Sequence, residues 1–281
     1  MQNLSPTDPA GGSRGLAAFY LAIFVFAWGV GLAFALFGPW MVRAFGPVRL
    51  WNPLVFLAVW SPTLAAFAMA LCFEGKAGLA AFVSRCFRWR VGLRWFLIST
   101  VGVAALALSA RVVQAWTTHT PLPPIFAISD WPAFAWAGAS MLVLDPGPIG
   151  EDPGWRGFAL PRMLARFKPT TAAVLLGLIW TVWHLPAFFF SGMPQAQLPL
   201  PQFIVAMVSV TVLMSWVSIN TGGAVIPAIL MHWAFNRFSD LGPQGATFAA
   251  AAYFIAAVAV ILATGGRLAP ADPGREGVSQ G

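Results

Sequence analysis

Apolar residues occupy this chain in long blocks rather than in alternating positions. The blocks run 16–40, 53–73, 95–114, 132–150, 172–190, 203–219, 222–239 and 246–264, and none holds more than one Asp, Glu, Lys or Arg. A helix rises about 1.5 Å per residue, so about 20 residues cross a hydrocarbon core of about 30 Å. Blocks of this length and apolarity predict membrane-spanning helices. The predicted fold is therefore all-α, a polytopic membrane helix bundle of about eight transmembrane helices. Residues 1–15 read as a polar N-terminal tail and 16–264 as one membrane-embedded helical domain. Residues 265–281 are rich in Pro, Gly and charge and are expected to be a disordered C-terminal tail. No internal repeat appears, which weighs against a transporter built from matched halves.

The polar residues between the blocks set the expected topology. Lys76, Arg85, Arg88, Arg90 and Arg94 follow the second block, and Arg156, Arg162, Arg166 and Lys168 follow the fourth. The loop after the third block holds no Lys or Arg beyond Arg111 near the helix end, and the loop after the fifth holds none. Basic loops stay in the cytoplasm, which puts both termini there. Arg43 and Arg49 run against this pattern in the first hairpin. The stretch Ala77–Arg90 sets Leu79, Phe82, Cys86 and Phe87 among arginines and reads as an amphipathic helix on the inner face.

Composition narrows the class further. The chain is 59% hydrophobic and 9% charged over 281 residues, too apolar to hide its surface as a soluble domain. Its net charge of +7 sits in the short basic loops, so it reads as a topology signal and not as a nucleic-acid footprint. Cys72 and Cys86 offer neither a CxxC pair nor a disulfide framework. Heavy use of Ala, Gly and Arg suggests a bacterial chain, hence an inner (plasma) membrane location.

Ionisable groups at membrane depth are costly and mark function. Three segments carry them. The first is Glu151-Asp152-Pro-Gly-Trp-Arg156, in which Asp152 and Arg156 are four apart and face one another on a helix. It reads as a general base beside a carboxylate held by an arginine, or as an ion pair at the membrane edge. The second is Trp180-Thr-Val-Trp-His184-Leu-Pro186, with His184 and Trp180 one turn apart. The third is His232-Trp-Ala-Phe-Asn236, preceded by a Gly-Gly turn; its His and Asn share one helix face and can donate hydrogen bonds. Each histidine segment alone could serve only helix packing. Together they supply the parts that activate water and receive an oxyanion. Glu151, His184 and His232 are also enough ligands for a zinc ion with an open position. There is no HExxH helix, no Ser or Cys in a nucleophile setting and no Gly-rich phosphate loop.

In this order and on separate helices, the three segments resemble the CPBP family of intramembrane proteases, the type II CAAX prenyl endopeptidase and bacteriocin-processing group also called Abi. The family pattern is EExxxR, FxxxH and HxxxN, matched here by Glu151-Asp152-xxx-Arg156, Trp180-xxx-His184 and His232-xxx-Asn236. The resemblance covers about residues 140–240. Two positions depart from it: Asp152 is one methylene shorter than Glu, and Trp180 replaces Phe.

The resemblance implies an intramembrane endopeptidase that hydrolyses a peptide bond near the cytoplasmic face. Glu151 and His184 would activate water, His232 and Asn236 would bind the oxyanion, and Asp152, Arg156 and Trp180 would support them. No cofactor is favoured, and zinc is the alternative left open. The expected partners are a peptide or membrane-protein substrate and the lipid bilayer, without nucleic acid. The alternative function, suggested by the Asp152 departure, is a catalytically idle membrane scaffold or bacteriocin-immunity protein of the same fold.

Overall fold

The computed structural model describes residues 9–121 and 130–269. Parts of both expected tails, 1–8 and 270–281, lie outside the described residues. All regular structure among the described residues is helical. The helices are α1 (Pro9–Leu36), α2 (Gly38–Phe45), α3 (Pro53–Cys86), α4 (Leu93–Thr118, with a π-helical turn at Ile98–Gly102), α5 (Trp131–Leu144), α6 (Pro146–Asp152), α7 (Pro169–His184), α8 (Leu200–Asn220), α9 (Ile226–Phe238) and α10 (Ala246–Ala263). The chain is thus an all-α polytopic bundle.

Six of these segments are long and apolar enough to cross a membrane: Ser13–Leu36, Pro53–Cys86, Leu93–Thr118, Pro169–Phe189, Leu200–Asn220 and Ala246–Ala263. Two of the eight expected spans come out short. Helix α5 has 14 residues and α9 has 13, or about 20 Å each. Asp145 interrupts the block at 132–150, and the turn at Thr221–Gly223 delays the start of α9 to Ile226.

Helix α8 is the centre. It packs on α7 and α10, and most of its residues are buried. Helices α1 and α3 pack on one another, and α3 also carries α6. Within α3, Pro62 has no N–H to give the carbonyl of Ala58. Ser61 Oγ donates to that carbonyl at 2.7 Å instead, so the helix passes its proline with its acceptor satisfied.

The chain reverses inside α3. Gly75 has φ 65° and ψ −163°, a region only glycine enters without strain. A straight helix would hold Phe67 and Phe82 about 22 Å apart; their ring centroids are 4.9 Å apart. The second arm corresponds to the amphipathic segment expected at 77–90. It does not lie free on the surface. Phe82 is fully buried, and Arg85 Nε donates to the Gly157 carbonyl at 3.0 Å.

One end of the bundle collects the basic loops. There Arg162 pairs with Glu74, and Arg88 Nη1 donates to the Gly222 carbonyl at 2.8 Å. The first residues of the expected C-terminal tail dock at this end too. Leu268 is buried, Asn220 Nδ2 donates to its carbonyl at 2.8 Å, and Thr170 Oγ1 donates to the Gly266 carbonyl at 2.7 Å.

The reversal at Gly75 depends on glycine, so Gly75→Ala is expected to lower stability by about 1–3 kcal/mol. Thermal or denaturant unfolding of the purified protein measures it. An unchanged midpoint would mean that the reversal is held by packing alone.

Candidate active site

Asp145 ends α5 and caps α6. Its Oδ1 accepts the Gly147 N–H at 3.0 Å, as an N-cap aspartate does. Helix α6 then lies directly on α3, with Gly150 and Gly154 at the contact. A Cβ at 150 would sit 2.9 Å from the Trp60 ring, and one at 154 would sit 2.5 Å from the Pro62 carbonyl. Pro153 leaves the Ile149 carbonyl without a helical donor, and Thr63 Oγ1 of α3 donates to it at 3.2 Å. The chain continues as a π-helical turn, Pro153–Ala159, in which every residue is buried. Such turns recur at functional sites because they redirect side chains. This one carries Arg156 into the core.

Asp152 joins three elements. Its Oδ1 is 2.9 Å from Arg156 Nη1, and its Oδ2 is 3.0 Å from His232 Nδ1 on α9. Asp152 and Arg156 are both fully buried. A carboxylate accepts, so His232 donates from Nδ1. The guanidinium of Arg156 lies 4.1 Å from the centroid of the Trp180 ring. Its Nη2 also donates to Thr211 Oγ1 at 3.3 Å and contacts Met214 Sδ at 3.1 Å, both on α8. Buried charge survives only when paired and bonded in this way.

Glu151 turns to a different set of partners. Trp180 Nε1–H donates to its Oε2 at 2.7 Å. His184 Nδ1 is 2.8 Å from the Trp180 carbonyl. That carbonyl only accepts, so Nδ1 carries the proton and Nε2 is the free ring nitrogen of the neutral imidazole. His184 Nε2 is 3.9 Å from Glu151 Oε2, too far for a direct hydrogen bond. The Trp180 ring stands edge-on to both imidazoles, with centroids 5.5 Å from His184 and 5.1 Å from His232. Tryptophan in place of phenylalanine therefore adds a donor that a phenyl ring lacks.

Glu151, His184, His232 and Asn236 line one cavity of about 530 Å³. Asp152, Arg156 and Trp180 lie behind it. Asn236 Nδ2 donates to Asp145 Oδ2 at 2.9 Å, which leaves its second N–H for another acceptor. Asp145 also lines the cavity and was not singled out in the sequence. Its signal was an N-cap aspartate ahead of Pro146 and Gly147. Among the described residues no three His, Cys, Asp or Glu side chains are grouped to hold a metal ion, and Glu151 Oε2 receives the indole N–H.

The cavity lies away from the basic end. Its outer wall comes from Val48 and Leu50, from Met193, Pro194, Gln195 and Leu198, and from Asp240 to Gly242. The 16-residue helix α7 sets His184 about 22 Å from Pro169 and the basic loop before it. The sequence leads one to expect a site near the cytoplasmic face; the loops that line the cavity are those at 46–52, 190–199 and 239–242.

Residues 130–238 match the family described as Type II CAAX prenyl endopeptidase Rce1-like. A CAAX prenyl protease 2 of Methanococcus maripaludis is 25% identical over 97 residues, which cover 32% of this chain and 36% of that protein. The match thus spans about a third of the relative's length. The family match falls on the stretch that holds all three motif segments.

Removing one partner of a buried pair leaves an uncompensated charge. Arg156→Ala is expected to cost about 3–5 kcal/mol of stability. Adding Asp152→Asn should cost less than the sum of the single changes, because both disrupt one network. Unfolding free energies of the two single variants and the double variant decide it. Strict additivity would show that the pair is not coupled.

Proposed function

On the premise that residues 130–238 form an Rce1-like core of the CPBP family, we propose that this integral membrane protein is an intramembrane endopeptidase with Glu151 as its base. The observation that carries the reading is the convergence of Glu151, His184, His232 and Asn236 on one cavity. A water molecule hydrogen-bonded at about 2.8 Å to both Glu151 and His184 Nε2 fits their 3.9 Å separation. Glu151 takes its proton, and the water oxygen attacks the carbonyl carbon of the scissile bond. The oxyanion is received by the second N–H of Asn236 and by Nε2–H of His232 as an imidazolium paired with Asp152. The C–N bond then breaks as the proton on Glu151 passes to the leaving nitrogen. Trp180 holds the base, and Arg156 holds Asp152. The substrate is a peptide or a membrane protein. The membrane is the bacterial inner membrane, with both termini in the cytoplasm.

The idle-scaffold alternative leaned on Asp152 being shorter than the family glutamate. Both oxygens of Asp152 are engaged, at 2.9 Å and 3.0 Å, so the shorter acid still links Arg156 to His232. That geometry favours the enzyme.

Glu151→Gln keeps the shape and removes the basicity. It is expected to lower turnover by about two to four orders of magnitude. Trp180→Phe, which removes only the N–H on the base, should cost about tenfold in kcat with little change in KM. Hydrolysis of a quenched fluorescent peptide by purified protein measures both. A fully active Glu151→Gln protein would end the reading. In the same assay, activity is expected to survive a strong chelator. Loss with chelator and recovery with added zinc would make the enzyme metal-dependent.

A further inference from the structure

Asp145 lines the cavity, yet the reaction above gives it no part. It caps the head of α6, and Asp152 closes the foot, about 10 Å further along the helix. Each of these carboxylates accepts a hydrogen bond from α9. Asp152 Oδ2 takes Nδ1–H of His232 at 3.0 Å, and Asp145 Oδ2 takes an Nδ2–H of Asn236 at 2.9 Å. The two donors lie one turn apart on one face of α9. Both groups proposed to receive the oxyanion are therefore held by aspartates at the two ends of one short helix, and that helix also carries Glu151.

The other oxygen of Asp145 is committed as well. Oδ1 accepts the Gly147 N–H at 3.0 Å, so the carboxylate cannot turn away from Asn236 without giving up its cap. Nor is it remote from the reacting groups. A Cβ at Gly147 would lie 3.2 Å from Asp145 Oδ1, 3.3 Å from Glu151 Oε1 and 3.7 Å from His232 Cε1. An ionised carboxylate only accepts, whereas an asparagine amide has an accepting end and a donating end of nearly equal shape. Asp145 thus settles which end of the Asn236 amide faces it.

Resting on the endopeptidase reading, we infer that Asp145 is a positioning residue that orients the Asn236 amide, so that an N–H and not the carbonyl oxygen meets the oxyanion. It does for Asn236 what Asp152 does for His232.

Asp145→Asn separates orientation from folding. Asparagine caps a helix as well as aspartate does, so the unfolding midpoint is expected to stay. The new NH2 then faces the NH2 of Asn236, donor against donor, and the Asn236 amide turns over to offer its oxygen. The variant should lower kcat about a hundredfold with little change in KM, because the oxyanion exists only in the transition state. Added to Asn236→Ala, it should lower kcat no further. A kcat within twofold of wild type, a lowered midpoint, or a further loss in the Asn236→Ala background overturns the inference and leaves Glu151 as the base.

The orientation is also read without turnover, by NMR of the detergent-solubilised protein labelled with 15N-asparagine. Asparagine occurs only at positions 3, 52, 220 and 236, and the Asn236 signal is the one that Asn236→Ala removes. In wild type one Nδ2 proton of Asn236 is expected downfield of the free-amide range, and Asp145→Asn should return it to that range. Two Nδ2 protons at free-amide positions in wild type overturn the inference, whether or not the protein cleaves peptide. A downfield proton in a wild-type protein that cleaves no peptide would overturn the endopeptidase reading and leave the orientation standing.

Discussion

A single buried carboxylate holds this site together. Asp152 spends one oxygen on Arg156 and the other on His232. Through that ion pair and that hydrogen bond it ties α6 to α9, while Arg156 extends the link to α8 through Thr211 and Met214. In lipid these charges have no water to fall back on. Their mutual pairing is therefore a condition for the helices to close around them. With His232 as an imidazolium, Arg156, His232, Asp152 and Glu151 sum to no net charge. Four ionisable groups can then share one apolar interior.

The aromatic residues complete this arrangement rather than merely filling space. Trp180 presents its face to Arg156 and its N–H to Glu151. One ring thus touches the cation that supports Asp152 and the carboxylate proposed as base. Its backbone carbonyl takes the His184 Nδ1–H and so fixes which imidazole nitrogen faces Glu151. A phenylalanine would keep the cation–π face and the carbonyl but not the N–H. The departure from the family pattern at this position adds a hydrogen bond and removes nothing the geometry uses.

Much of this was legible in the sequence because apolar blocks and intramembrane charges leave strong signals. The bundle, the helices at 172–190, 203–219 and 246–264, and the grouping of Glu151, His184 and His232 all follow from them. Span count was less legible. Hydropathy does not register that Asp145 caps a new helix or that the turn at Thr221–Gly223 shortens α9, since the flanking residues stay apolar. Asp145 itself was passed over because a lone aspartate before Pro-Gly reads as a turn. Its bond to Asn236 spans 91 residues, a separation no local pattern records. The depth of the site escaped for a related reason. Glu151 precedes a basic loop in sequence, but the fully buried π-helical turn Pro153–Ala159 stands between them, so nearness along the chain was not nearness to the surface.

The acidic pair shows how local geometry turns similar residues into different parts. Successive residues on a helix point about 100° apart, so Glu151 and Asp152 cannot face the same partner. Gly150 in α6 and Gly154 in the π-helical turn that follows both lie against α3, and that contact fixes the rotation of α6. At this rotation the longer acid reaches the cavity, and the shorter one points into the bundle. There its two oxygens already lie within 3.0 Å of Arg156 and His232. A longer side chain at 152 would have to fold back to hold both bonds. Glycine spacing, helix rotation and acid length thus act as one constraint, and the difference in role between two adjacent carboxylates follows from it.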